Sequence, residues 1–356
     1  MADNNQHVEN PEMHEGHSPE NSQPPLPEPE RSPLATDNSR DDEGQSTPDV
    51  VVTTDASQAP PPAKRPAIVR VFIGRAGLRA GWRLLIYLVL VGLLGGAIAR
   101  ALHFFSQGHR PAGLTAWGVV VSDTLLFTIV LVPSLIMGMF EKRNLAHYGL
   151  PLRRAFGRRF WEGALWGFAA LTVLLTLIRA SGDFYFGHVQ LQGARVLYFA
   201  AVWGLAFIMV GLAEEYALRG YSMFTLASGI GFWPAALILS FVFAWLHRGN
   251  PGETAVGLLD VVAIALFFCL TLRVTGNLWF AIGYHAAWDW GETFFYGVPN
   301  SGMAASGHLL APQFHGSRWI TGGTAGPEGS VLSIVLTCVV AALFAMRFKK
   351  KVVSGV

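Results

Sequence analysis

The chain encodes an all-α, polytopic integral membrane helix bundle of about eight transmembrane helices behind a disordered N-terminal tail. Three features of its 356 residues lead there. Hydrophobic residues make up 51% and charged residues only 14%, against roughly 25% charged in an average soluble chain. The apolar residues gather in runs long enough, at about 1.5 Å per helical residue, to cross a hydrocarbon core of about 30 Å. The charges are segregated: residues 1–63 hold 13 of the 24 acids, 2 of the 26 bases and 11 of the 20 prolines. The small net charge of +2 therefore combines an acidic tail with a basic, apolar body.

Residues 1–66 read as a disordered, acidic, Pro-rich tail, because such a composition cannot bury enough apolar surface to offset the entropy of ordering. The tail lacks the basic start, apolar run and small-residue cleavage site of a secretory signal, so the first export signal is a transmembrane helix. His7, His14 and His17 have no regular spacing and read as solvated. Residues 67–81 form a basic amphipathic juxtamembrane segment suited to anionic inner-leaflet lipids. The transmembrane domain follows at 82–348, and residues 349–356 are a basic C-terminal tail.

Eight apolar segments are expected in that domain, at 82–105, 114–140, 160–178, 196–226, 232–247, 255–272, 276–290 and 331–346. The fifth and seventh are short for spanning helices, which predicts continuation into polar flanks or shelter by neighbours. Gly163 and Gly167 form a GxxxG pair, which predicts close packing of the third helix. Six basic residues precede or open the first helix (Lys64 to Arg83), six lie in the second connection and four at the C-terminus, against two each in the first and third connections. An even number of crossings with both termini in the cytosol satisfies these counts. The expected location is a bacterial plasma membrane, with no nucleic-acid partner. Cys269 and Cys338 lie inside apolar runs, which excludes a disulfide scaffold and a cysteine-rich zinc module. Asp123 and Asp260 are isolated acids in apolar runs, functional suspects by position but more simply structural hydrogen-bonding groups.

The informative polar residues lie between Glu214 and Asp289. Glu214, Glu215 and Arg219 interrupt an otherwise apolar helix, where each charge costs on the order of 2.5 to 3.5 kcal/mol even on a lenient insertion scale. Glu215 and Arg219, four residues apart, share a helix face and can neutralise each other. Glu214 points about 100° away and is left free. The second piece is Phe243-Ala-Trp-Leu-His247 and the third His285-Ala-Ala-Trp-Asp289. Tight turns at 228–231 and 273–276 place Glu214, His247 and Asp289 roughly 20 Å from those turns and His285 roughly 14 Å, so all four can share one layer. Such a carboxylate beside two imidazoles can act as a general base on water, can bind zinc through Glu214, His247 and His285, or can serve as a polar lock. The H-E-x-x-H helix is absent. No G-x-S-x-G appears, and no serine stands out in the polar layer as a nucleophile.

The series Glu214-Glu215-x-x-x-Arg219, Phe243-x-x-x-His247 and His285-x-x-x-Asp289, on successive apolar helices, resembles the CPBP group of intramembrane proteins, the Abi or CAAX prenyl protease 2-like glutamic endopeptidases. The motif core covers residues 160–295, and residues 143–150 look like the family's approach to it. The resemblance implies that Glu214 and His247 activate the attacking water, that His285 and Asp289 form the oxyanion site, and that Glu215, Arg219 and Phe243 support them. At 289 the chain has Asp where prenyl-protein proteases have Asn; bacterial-type relatives accept either, and an Asp donates a hydrogen bond only when protonated. The expected activity is hydrolysis of a peptide bond in a membrane-associated protein or peptide without a cofactor. The alternatives are a zinc-dependent membrane metallopeptidase and a non-catalytic scaffold or bacteriocin self-immunity protein.

Overall fold

A computed structural model of the protein describes residues 71–74, 77–106 and 115–348. The expected tails at 1–66 and 349–356 lie outside the described residues. Within the juxtamembrane segment, β1 (Ile73–Gly74) pairs antiparallel with β2 (Gly77–Leu78), and the large side chains of Val71, Phe72, Ile73 and Leu78 are exposed. The helices are α1 (Ala80–Ser106), α2 (Ala116–Glu141), α3 (Arg158–Ala180), α4 (Ala194–Arg219), α5 (Tyr221–Ile230), α6 (Phe232–His247), α7 (Ala255–Thr275), α8 (Trp279–Trp290), the single turn α9 (Arg318–Thr321) and α10 (Val331–Arg347). Every one of the eight expected segments is helical. Helices α1, α2, α3 and α7, and α4 taken with α5, are long and apolar enough to cross a membrane, while α6 and α10 are shorter apolar helices. The protein is a polytopic helical membrane protein.

The fourth expected helix is not continuous. It breaks at Gly220, whose ψ of −128° leaves the helical region. A Cβ at this position would overlap the carbonyl oxygen and ring of Tyr216, so only glycine permits the bend. Gly231 (φ 88°) then turns α5 into α6, and Gly276 (φ 72°) closes α7. Both are left-handed conformations that a side chain disfavours.

Helix α8 has 12 residues and is buried almost along its whole length. It packs between α3 and α4 and also touches α7. Shelter by neighbours therefore explains how so short a segment is tolerated. Three glycines make the close approach possible: a Cβ at Gly163 would meet the Phe280 carbonyl, one at Gly167 the Tyr284 backbone, and one at Gly283 the Phe160 carbonyl. The GxxxG pair is thus a backbone-to-backbone seam between α3 and α8.

At the end of the bundle carrying the 228–231 turn, Glu141 at the close of α2 gathers Arg83 of α1 (2.9 Å), Tyr221 of α5 (2.5 Å) and Tyr148 (3.3 Å). At the opposite end, α8 runs into a π-helical turn at Gly291–Tyr296. A segment without long helices then covers residues 297–330. Its β4 (Gln313–Phe314) pairs with β3 (Phe184–Tyr185) from the connection between α3 and α4, and a bridge joins Val189 to Leu310. The sequence carried no signal for this cap.

Candidate active site

Glu214 sits five residues before the end of α4, His247 ends α6, and His285 and Asp289 lie one turn apart on α8. All four line one cavity of about 580 Å³. Helix α6 returns from the Gly231 turn that follows α5, and α8 follows the Gly276 turn and packs against α4, which brings the ends carrying these side chains together.

Glu215 points the other way, into protein. It is 0% exposed and its Oε1 accepts from Arg219 Nη1 at 3.1 Å. Arg219, 1% exposed, lies over the rings of Phe243 at 4.8 Å and Phe268 at 5.8 Å. The expected i,i+4 pair is therefore formed, and Phe243 supports it through the arginine. The sequence missed a second duty of Glu215. Its Oε1 also accepts from His285 Nδ1 at 3.2 Å, which fixes the ring and directs Nε2 toward Glu214 Oε2 (3.8 Å) and Asp289 Oδ2 (3.6 Å). With Nδ1–H committed to Glu215, Nε2 offers a hydrogen toward the cavity only when the ring is doubly protonated.

His247 is held differently. Its Nδ1 lies 2.9 Å from the backbone oxygen of Phe243. A carbonyl can only accept, so Nδ1 carries the hydrogen and Nε2 is left as a basic lone pair. The Phe243 ring also packs against the imidazole, with centroids 4.4 Å apart.

The cavity has further polar lining that no motif flagged, including Asn250, Asn300 and Glu328. Asp123 and Asp260 reach it too. Asp260 accepts from the hydroxyls of Ser333 and, at 3.1 Å, Thr337 on α10, and Asp123 accepts from Ser122 at 3.0 Å. Both isolated acids are thus hydrogen-bonded. Two serines, Ser122 and Ser301, do line the cavity. The Ser301 hydroxyl donates to Glu328 at 3.1 Å and Ser122 bonds within its own helix, so neither hydroxyl is paired with an imidazole among the described residues. Outside the spanning helices, burial pushes the Glu253 carboxyl up from its ordinary value, opposed by the Thr254 N–H. Among the described residues the donor atoms that converge closely enough for a metal are those of Asp289, Glu292 and Glu328.

Residues 195–291 match the model of a family described as type II CAAX prenyl endopeptidase Rce1-like. The matched segment contains Glu214, Glu215, Arg219, Phe243, His247, His285 and Asp289. No curated protein and no solved structure gives a significant match.

Proposed function

We propose that this integral membrane protein, whose central segment matches a family of CAAX prenyl endopeptidases, hydrolyses a peptide bond of a membrane-associated protein or peptide through a glutamate–histidine mechanism. The observation that carries the reading is the convergence of Glu214, His247, His285 and Asp289 on one cavity inside the matched segment.

Water held between the Glu214 carboxylate and His247 Nε2 loses a proton to this pair and attacks the scissile carbonyl carbon. The oxyanion that forms is received by His285 Nε2–H, with Asp289 contributing when it carries its proton. Collapse of the tetrahedral intermediate breaks the C–N bond, and the departing amine takes the proton held by the Glu214–His247 pair. Glu215 and Arg219 act at one remove, by orienting His285. The sequence of steps calls for no Lewis acid. The topology proposed with it has both termini in the cytosol of a bacterium, the tight turns facing inward and the 297–330 cap facing outward.

The test is cleavage of a membrane-peptide library, with and without prenylated cysteine, by the full chain purified in detergent. Glu214→Ala and His247→Ala are expected to abolish cleavage while the helix content and elution profile stay those of the parent. Full activity of the Glu214 variant on a genuine substrate would overturn the mechanism.

A further inference from the structure

Three carboxylates, one of them Asp289 of the proposed oxyanion site, stand together at the end of α8. Asp289 is the last residue but one of α8, Glu292 lies one turn on in the π-helical turn, and Glu328 comes from the cap. One oxygen from each lies within 4.8 Å of the others. Their surroundings give them little positive charge. Among the described residues the ion pair formed by the trio is that of Asp289 with His285, at 3.6 Å, and His285 is shared with Glu214 and Glu215.

Glu292 supplies the second observation. It is 0% exposed, and among the described residues neither of its oxygens has a hydrogen-bond partner. The neighbouring Trp288 indole N–H is given to Glu328 Oε1 instead, at 3.2 Å. A carboxyl group buried without partners is strongly disfavoured unless something at the site compensates it. Its oxygens face two further carboxylates, so that compensation must come from protons or from a cation.

Glu328 favours the cation. Its Oε1 accepts from Trp288, and its Oε2 accepts from both the backbone N–H and the hydroxyl of Ser301, each at 3.1 Å. Three donors spread over both oxygens suit an ionised carboxylate, all of whose sites are acceptors. They also fix its orientation, as the outer partners of a metal ligand do. Asp289 and Glu328 line the 580 Å³ cavity, which gives an ion a route in.

We infer that Asp289, Glu292 and Glu328 form a binding site for a hard divalent cation, of the calcium, magnesium or manganese class. The donor set is all carboxylate oxygen, which suits these ions rather than a thiolate- or imidazole-seeking one. The site is distinct from the Glu214, His247 and His285 set and stands whether or not the chain is a protease. Where the chain is a protease, a cation here brings positive charge to position 289 in place of the carboxyl proton.

The full chain in detergent, stripped with a chelator and returned to metal-free buffer, is titrated with Mn²⁺ and followed by electron paramagnetic resonance, with thermal unfolding in parallel. One Mn²⁺ per chain is expected, displaced by Ca²⁺ or Mg²⁺ and raising the unfolding temperature. Glu292→Gln and Glu328→Gln should each weaken binding at least about tenfold. Absence of Mn²⁺ binding by the folded parent chain overturns the site, and so does binding that both variants leave unchanged. A parent insensitive to Mn²⁺, together with a Glu292→Gln variant more stable than it in metal-free buffer, overturns it in favour of a protonated cluster. The parent titration decides even if a variant fails to fold.

Discussion

Replacing Arg219 by Met isolates a fully buried charge in the bundle. Glu215 is 0% exposed and its Oε1 is held by Arg219 at 3.1 Å and by His285 at 3.2 Å; its Oε2 has no partner among the described residues. Without the guanidinium, the His285 imidazole is the remaining side chain bonded to it among the described residues. Breaking one side of a buried ion pair costs about 3 to 5 kcal/mol, and loss of the cation above the Phe243 ring adds about 0.5 to 2 kcal/mol. Glu215→Gln should cost a similar amount, because it strands Arg219 instead. The two residues act as one unit, so the double variant Glu215→Gln/Arg219→Met should cost less than the sum of the singles by at least about 2 kcal/mol. Unfolding by SDS titration in mixed micelles, followed by circular dichroism, measures all three. A single-variant cost below about 1 kcal/mol, or strict additivity in the double variant, refutes the view that this pair is a buried, mutually compensated charge.

Other substitutions test the seam, the mechanism and the tail. Gly283→Ala places a Cβ against the Phe160 carbonyl and should destabilise the α3–α8 contact by at least about 1 to 3 kcal/mol, read as lost folded yield and a lower unfolding temperature; a neutral result would show that the two backbones are not so close. Glu141→Ala removes the group that joins Arg83, Tyr148 and Tyr221, and with hydrogen bonds to charged groups worth about 1.5 to 3 kcal/mol each it should lower stability without changing the cleavage rate of the protein that remains folded. Treatment with a zinc-selective chelator should leave proteolysis intact, since a carboxylate–imidazole pair needs no Lewis acid; loss of activity restored by added zinc would move the mechanism to a metallopeptidase. Deleting residues 1–60 should leave insertion and cleavage at the parent level, and protease protection in sealed inverted and right-side-out vesicles should find the tail on the cytosolic side.

All eight helical segments were legible because apolar length is a local property that one pass along the chain reads directly. The same holds for Glu215–Arg219 and His285–Asp289, each fixed by the four-residue helical repeat, and for the three motifs that resemble the family later matched over residues 195–291. Counting residues from the glycine turns was enough to put Glu214, His247, His285 and Asp289 in one layer, since a helix rises by a constant amount per residue. The chain order of residues could not reveal that Glu215 also holds His285, which depends on the rotation of α4 against α8 and not on either helix alone. Nor could it reveal that Gly163, Gly167 and Gly283 interlock, that Gly220 breaks the fourth helix against the Tyr216 ring, or that Glu141 ties three segments together. The cap left least trace. Residues 297–330 lack hydrophobic periodicity, and they are ordered by pairing with residues 184–189 and by hydrogen bonds such as those from Ser301 to Glu328. Glu328 reaches Asp289 and Glu292 only because that cap folds back over the end of α8. The sequence alone determined the helices and the chemistry each carries, because these follow from local spacing; contacts between residues far apart in the chain decided which groups meet, because burial and charge compensation act through space.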